Sequence, residues 1–327
     1  VTAISYHDTV NDLPEAVCWG NGPFSRQGWF ALLEEAGLHP FVAVASDGDG
    51  AVCFPMMRGT RGLEPLMNWY AFTWAPCLPD APSTRMLTEL TREIAEKTHC
   101  ISLRNLADED VSTHLLEQAF RTTGWVVLRE PCDINHVLRV QGRSYDQFLA
   151  GRPGNVRSTL KRKGKKISVR LTQAFDADDW SAYEDIYADS WKPAEGEPTL
   201  LCHFAQTESA AGRFRFAIAH HDDQAVAAQF WTVDGSTAYI HKLAHRQSAT
   251  ALSPGTTLTA ALFKQVIDID RVEMVDFGTG DQPYKRDWME ETRIRWQFTC
   301  LRPGAPQNWP TIAKAGIHKL VSRRGAG

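Results

Sequence analysis

The chain has 327 residues, 43% of them hydrophobic and 23% charged, and a formal net charge of −4. This is the make-up of a globular protein long enough for two ordinary domains or one large one, and the slight acidity argues against a general nucleic-acid binder, which carries a basic excess. The seven cysteines stand singly, which fits neither a disulfide framework nor a zinc site. No apolar run approaches the ~20 residues that span a bilayer, and the opening VTAISYHDTVNDLPEAV lacks the basic and apolar regions of a signal peptide, so a cytoplasmic protein is expected.

Taken in chain order, residues 24–38 place Trp29, Leu32, Leu33 and Ala36 at helical spacing behind Ser25, a candidate N-cap. Strands at 41–45 and 51–58 flank an Asp-Gly-Asp-Gly turn and pair as a hairpin. The aromatic stretch 66–74 reads as a further strand, 84–98 as a helix, 101–106 as a strand, 111–122 as a helix and 125–130 as a strand. At Gly142 the composition changes. A short helix at 144–149 precedes the basic run GRPGNVRSTLKRKGKKI over 151–167. Then come a strand at 168–173, a helix at 178–191, strands at 213–220, 225–233 and 236–243, a helix at 256–267 and a strand at 272–277. Each half runs helix, strand, acidic turn, strand, strand, helix, strand, and AVCFPMMRG answers AVAAQFWTV. A duplicated α/β unit accounts for this pattern, with domains 1–141 and 142–327.

The densest chemistry lies in VEMVDFGTGDQPYKRDW, residues 272–288. An apolar strand breaks at Gly278 and Gly280 and restarts after Pro283, a residue suited to a first helical turn. Asp276, Asp281, Tyr284, Lys285 and Arg286 crowd the C-terminal end of this strand, where α/β proteins concentrate their sites. The plainer reading is a strand–turn–helix corner with Asp281 as a cap and the basic residues in solvent. Upstream, Ser253-Pro254-Gly255-Thr256 opens an amphipathic helix. The unpaired N–H groups and positive dipole end of such a terminus attract phosphate, and a glycine admits close approach. An ordinary cap is the alternative. On the adjoining strand, alternation puts His241 on the face of Tyr239 and turns Lys242 the other way. His241 is a general-base candidate or a satisfied strand histidine. No H-x-x-H or H-E-x-x-H spacing supports a metal, and the G-x-S-x-G and G-x-x-x-x-G-K-[ST] signatures are missing. The basic run suits a phosphorylated ligand, a membrane surface, RNA, or a solvated helix.

Three motifs in this order, RPGNVRSTLKRK (152–163), LSPGT (252–256) and DFGTGDQPYKRDW (276–288), resemble the CelD-like branch of the GNAT acetyltransferase superfamily, related to the Fem-type peptidyl transferases. The resemblance spans about residues 24–302, with its specificity in the second half. It implies two tandem GNAT-like domains of mixed α/β fold, each a twisted sheet flanked by helices. It also implies two splayed central strands and an acyl-CoA whose pyrophosphate sits at the following helix N-terminus. The implied reaction is direct attack of an amine on a thioester, without a metal. By the same resemblance Asp276 or Asp281 acts as base or orients the amine, Tyr284 protonates the leaving group, and Lys285 or Lys242 stabilises charge. Ser253, Gly255, Thr256 and Thr257 hold the donor with Lys242, while His241, Arg157 and Trp288 face the acceptor. The glycine-rich pyrophosphate loop of GNAT enzymes is missing at His245-Arg246-Gln247-Ser248-Ala249. Fem-type relatives also lack it and use aminoacyl-tRNA. A charged tRNA bound through 152–166 is therefore the alternative donor, and a non-catalytic binding protein is the alternative from another class. The acceptor stays open among amino sugars, polysaccharide amines, amino acids and peptides.

Overall fold

The computed structural model describes residues 2–48, 50–79 and 84–324. They pack as two compact units, Val1–Asp133 with Arg293–Gly327, and Ile134–Thr292. Composition places the division at 141/142; packing places it inside two continuous strands, which composition does not mark.

The first unit contains β1 (Ala3–His7), α1 (Gln27–Glu35), β2 (Pro40–Asp47), β3 (Gly50–Arg58), β4 (Leu63–Pro65), α2 (Thr84–Glu93), β5 (Cys100–Ala107), α3 (Val111–Thr122) and the start of β6 (Val126–Arg139). β1 to β4 pair antiparallel in sequence order, and β4 runs parallel beside β5. The expected hairpin is β2–β3; Asp49 of its turn lies outside the described residues. Helix α1 buries Trp29, Leu32 and Leu33, but Arg26, not Ser25, stands at its N-cap and makes no side-chain cap. The expected strand at 66–74 is a loop. Tyr70 N–H donates to Asn68 Oδ1 (3.1 Å) and Ala71 N–H to the Asn68 carbonyl (3.3 Å), which turns the chain. Trp74 still reaches the core, its indole N–H bonded to the Pro55 carbonyl (3.0 Å). A loop whose aromatics fill a core has the composition of a strand without its pairing.

The second unit adds α4 (Tyr145–Ala150), α5 (Gly154–Lys163), β7 (Ser168–Thr172), α6 (Ala177–Ala188), α7 (Pro198–Ala210), β8 (Phe214–His221), β9 (Gln224–Asp234), β10 (Thr237–His245), α8 (Pro254–Lys264), β11 (Met274–Thr279) and α9 (Pro283–Arg286). The chain then returns to the first unit through β12 (Glu291–Leu301), antiparallel to β5, and α10 (Trp309–Arg324). Ser144 and Gln147 close a capping box on α4. Strand order here is β6–β11–β10–β9–β8–β7, with β10–β11 parallel and the other pairs antiparallel. Successive side chains of a strand point to opposite faces, and β9 shows which helices cover which. Phe230 meets Trp180 of α6 and Phe204 of α7, whereas Trp231 meets Phe263 of α8. Helices α6 and α7 therefore lie on one face and α8 on the other. Among the described residues no helix is long and apolar enough to cross a membrane.

Trp288, an expected acceptor contact, is a wall of this core and also lines the cleft at the start of α8. It is 5% exposed and stacks on Phe263 at 5.2 Å, with Phe148 beyond at 6.5 Å. Trp288→Ala should cost about 3–5 kcal/mol in urea unfolding. A loss below about 1 kcal/mol, within the range of ordinary surface substitutions, would return the ring to a binding role.

Candidate functional site

The site begins where two parallel strands part. β10 and β11 pair only at Thr237↔Met274, Ala238↔Val275 and Tyr239↔Asp276. On its other side β11 slips against β6 between Asp276 and Thr279. The backbone freed by this parting is re-bonded within the corner. Gly278 and Gly280 have φ of 69° and 97°, a region that glycine enters without strain. Gly278 N–H donates to Asp276 Oδ1 (2.7 Å), and Gly280 N–H to the Ile134 carbonyl (2.9 Å). Lys285 Nζ donates to the carbonyls of Gly278 (3.2 Å) and Thr279 (2.6 Å). Asn135 Nδ2 donates to both oxygens of Asp276, at 3.1 and 3.0 Å.

Asp276 and Lys285 are thus buried, at 7% and 5% exposure, and both are engaged in holding the corner. Asp281 sits apart from Asp276. It is ion-paired with Arg286, which holds its carboxyl below the usual range, and His136 Nε2 lies 3.2 Å from its Oδ1. Burial pushes the His136 imidazole down, and the nearby Lys285 ammonium pushes it further. Tyr284 projects from α9 with its ring edge on Phe277 (5.6 Å). Its phenol is raised by burial and stays protonated at neutral pH.

Tyr284 faces a cleft of about 320 Å³ that Ser253, Gly255, Thr256, Leu243 and Lys192 also line. The structure therefore brings the candidate acid and the candidate donor-binding turn to one place. Ser253 enters α8 in the left-handed region, φ 51°, and Lys163 Nζ donates to its hydroxyl (3.0 Å). No acidic residue stands in the first turn of α8. Thr257 Oγ1 is buried there without a hydrogen-bond partner among the described residues. A Cβ on Gly255 would meet Leu243 at 3.5 Å, an ordinary contact, so the glycine is a matter of room rather than backbone strain. Among the described residues, Asp276 and Asp281 are absent from the lining of this cleft.

His241 keeps the face of Tyr239, as expected, but Lys242 is placed differently from its expected alternation. A bulge in β10 shifts the register at His241, since Ile240 pairs with Trp231 and Lys242 with Phe230. Lys242 consequently turns to the α6–α7 face beside His241. Lys242 Nζ is bound by Glu195, at 3.0 and 2.9 Å from its two oxygens, beneath the ring of Tyr187. It does not reach the α8 terminus. His241 lies against Phe204 and Phe230, its Nε2 2.8 Å from Thr232 Oγ1. Burial pushes its pKa down to about 3, which makes it a poor proton acceptor. Of the basic run, Arg152 turns inward to Glu290, the Trp288 carbonyl (3.1 Å) and the face of Phe148, while Arg157 is exposed on α5. Sequence reasoning missed Asn135, His136, Lys192 and Glu195. The first two lie on a strand read as ending near residue 130, and their partners are more than a hundred residues away.

Residues 152–286 match the model of the acetyltransferase (GNAT) domain. Among solved structures, FemX superposes with a TM-score of 0.64 at 10% identity, covering 91% of this chain and 96% of FemX. L-PGS from Bacillus licheniformis gives 0.60 at 10%, covering 93% and 94%. A conserved protein of unknown function from Bacteroides thetaiotaomicron gives 0.60 at 11%, covering 91% and 100%. The fold is that of the GNAT superfamily, in its Fem-like form. No curated protein matches the chain. The parted β10–β11 pair and the α8 terminus lie within the matched residues, and the domain match supports acyl transfer as the class of chemistry. Among the described residues no cluster of His, Cys, Asp or Glu is placed to hold a metal ion.

The His241 pKa sets a stability test. Its folded value, about 3, lies below the ordinary 6.5, so the unfolded chain binds a proton that the folded one refuses, and stability falls as pH drops below 6.5. At pH 5 this loss is about 2 kcal/mol. His241→Gln should lose less stability than wild type between pH 7 and 5 by that amount, measured by urea unfolding. Equal losses would show that His241 takes up its proton in the folded state.

Proposed function

We propose that the second unit transfers an acyl group, acetyl in the simplest case, from an acyl-CoA to an amine by direct attack. The observation that carries this reading is the charge at the start of α8. The positive end of a helix dipole lies beside the Lys163 ammonium, with no carboxylate in the first turn. Two positive features set together repel one another, and an anionic group between them relieves both. Thr257 Oγ1 offers a further buried group in want of a partner. These residues fit a pyrophosphate, held by the backbone N–H of Gly255 with the Ser253 and Thr256 side chains and Lys163 beside it.

In this reading the acceptor nitrogen attacks the thioester carbonyl, and Tyr284 supplies a proton to the departing sulfur. Its raised pKa keeps that proton available at neutral pH. Asp276 and Lys285 act as positioning residues that hold the corner from which Tyr284 projects. The exposed Lys161, Arg162, Lys165 and Lys166 follow Lys163 or flank it along the chain, and they favour charged tRNA as the second reading of the donor.

Calorimetry with CoA and acetyl-CoA tests the donor. Micromolar binding is expected, retained within severalfold by Gly255→Ala and abolished by Gly255→Trp. No binding of CoA, with charged tRNA bound in a steeply salt-dependent way, would select the second reading. Binding of neither would leave a non-catalytic protein. Tyr284→Phe should lower kcat by about 10²-fold or more with little change in unfolding free energy; an unchanged kcat would remove Tyr284 from the chemistry.

A further inference from the structure

A second cavity, of about 750 Å³, lies within the same unit, between α6, α7 and the segment that joins them. One wall is an aromatic ladder on α6. Trp180, Tyr183 and Tyr187 stand on successive turns, with ring centroids 4.9 and 5.9 Å apart along the series. Leu201 and Cys202 of α7 form another part of the lining. Lys192 belongs to the lining of this cavity and also to that of the cleft at α8. Its ammonium lies 5.7 Å from the ring centres of both Tyr187 and Trp191. The two spaces therefore share one side chain as a common wall.

We infer that this cavity is the acceptor pocket, and that it takes a primary amine carried on an apolar body of aromatic size, with the amine turned toward Lys192 and the donor cleft. The inference rests on the acyl-transfer reading. A volume in this range suits a small molecule, and such pockets are mostly apolar with a few placed polar groups. The ladder offers flat apolar surface and ring faces to such an apolar body, while Glu184, Thr199, His203 and Gln206 supply the placed polar groups on the rest of the lining. The charges gathered about Lys192 are Lys242, Lys285 and Glu195. Together with Lys192 itself they leave positive charge in excess, and burial with the Lys242 charge pushes the Lys192 pKa down to about 8. Glu184 also lines the cavity, so the positive excess is confined to the Lys192 end, where it disfavours the ammonium form of an incoming amine and favours the free base, the form that attacks. As the carbon–nitrogen bond forms and the carbon–sulfur bond breaks, the amine releases one proton to solvent, the sulfur receives one from Tyr284, and the Tyr284 phenolate regains one from solvent, so the products are an amide and a thiol.

Cys202 gives a readout that needs no donor. In the full chain, 2-phenylethylamine should slow alkylation of Cys202 by N-ethylmaleimide severalfold, followed by peptide mass spectrometry. The exposed Cys18 and Cys132 serve as controls whose labelling stays unchanged. Glucosamine should give no such protection. Protection by neither amine, or equal protection by both, would overturn the inference. With acetyl-CoA present and thiol release monitored, Cys202→Trp should raise KM for 2-phenylethylamine about tenfold or more while leaving the acetyl-CoA Kd unchanged; an unaltered KM would also overturn it. Failure of acetyl-CoA to bind wild type would count against the donor reading alone, since the labelling result is independent of it.

Discussion

The parting of β10 from β11 is the constraint on which the second unit depends. A strand that leaves its neighbour strands backbone donors and acceptors in the interior, and each such group left unmet costs about 1–3 kcal/mol. Against a total stability of about 5–15 kcal/mol, a few of these would be decisive. Four are met around Gly278–Gly280, three of them from within the same corner: Gly278 N–H by Asp276 and the Gly278 and Thr279 carbonyls by Lys285, with Gly280 N–H met by the Ile134 carbonyl of β6. The carboxylate and ammonium that look catalytic in the sequence are the groups that let the strands stay apart. Their burial and bonding follow from that task, and the cleft is its consequence.

A second constraint is one residue long. Without the bulge at His241, Lys242 would share the face of Ile240, which opposes Trp231 on the α8 side. With it, the lysine crosses to α6 and α7 and is fixed by Glu195. The insertion therefore moves a cation from the side that would receive a donor to the side that borders the aromatic cavity. His241 lies on that face too, among Phe204 and Phe230, where an imidazolium is too costly to form. Spacing rules for strands carry an exact period of two, so any inference from alternation inverts beyond a bulge.

Much of the scaffold was legible because its signals are local. The hairpin β2–β3 and helix α3 follow directly from patterning and turn chemistry, as does the α4 cap at Ser144. The motifs at 252–256 and 276–288 pointed to the region where the structure places Tyr284 across from Ser253 and Gly255. What could not be read depends on contacts distant in sequence. Asn135 meets Asp276 across 141 positions, and Glu195 meets Lys242 from a segment with no regular structure of its own. Helix α7 had a signal that was passed over: Leu200, Leu201, Phe204 and Ala205 at helical spacing behind Pro198. The loop at 66–74 shows the reverse error, aromatic content taken for extended structure.

The basic run resolves the apparent conflict between a net charge of −4 and an anion site. It does not act as one surface. Arg152 turns into the core against Glu290 and Phe148, Lys163 reaches Ser253 at the head of α8, and the remaining cations face solvent. Solvated charges are screened over about 10 Å or less at ordinary ionic strength, so the overall balance of the chain has little say in a cleft. What acts there is one half-buried ammonium beside a helix terminus whose first turn bears no acid. A cation placed where the backbone is already positive does more for an anion than several spread over a surface, because its field is less screened by water. Asp287, the one carboxylate among the described lining residues, lies outside the first turn of α8. The chain can thus be acidic overall and still present phosphate with a favourable site.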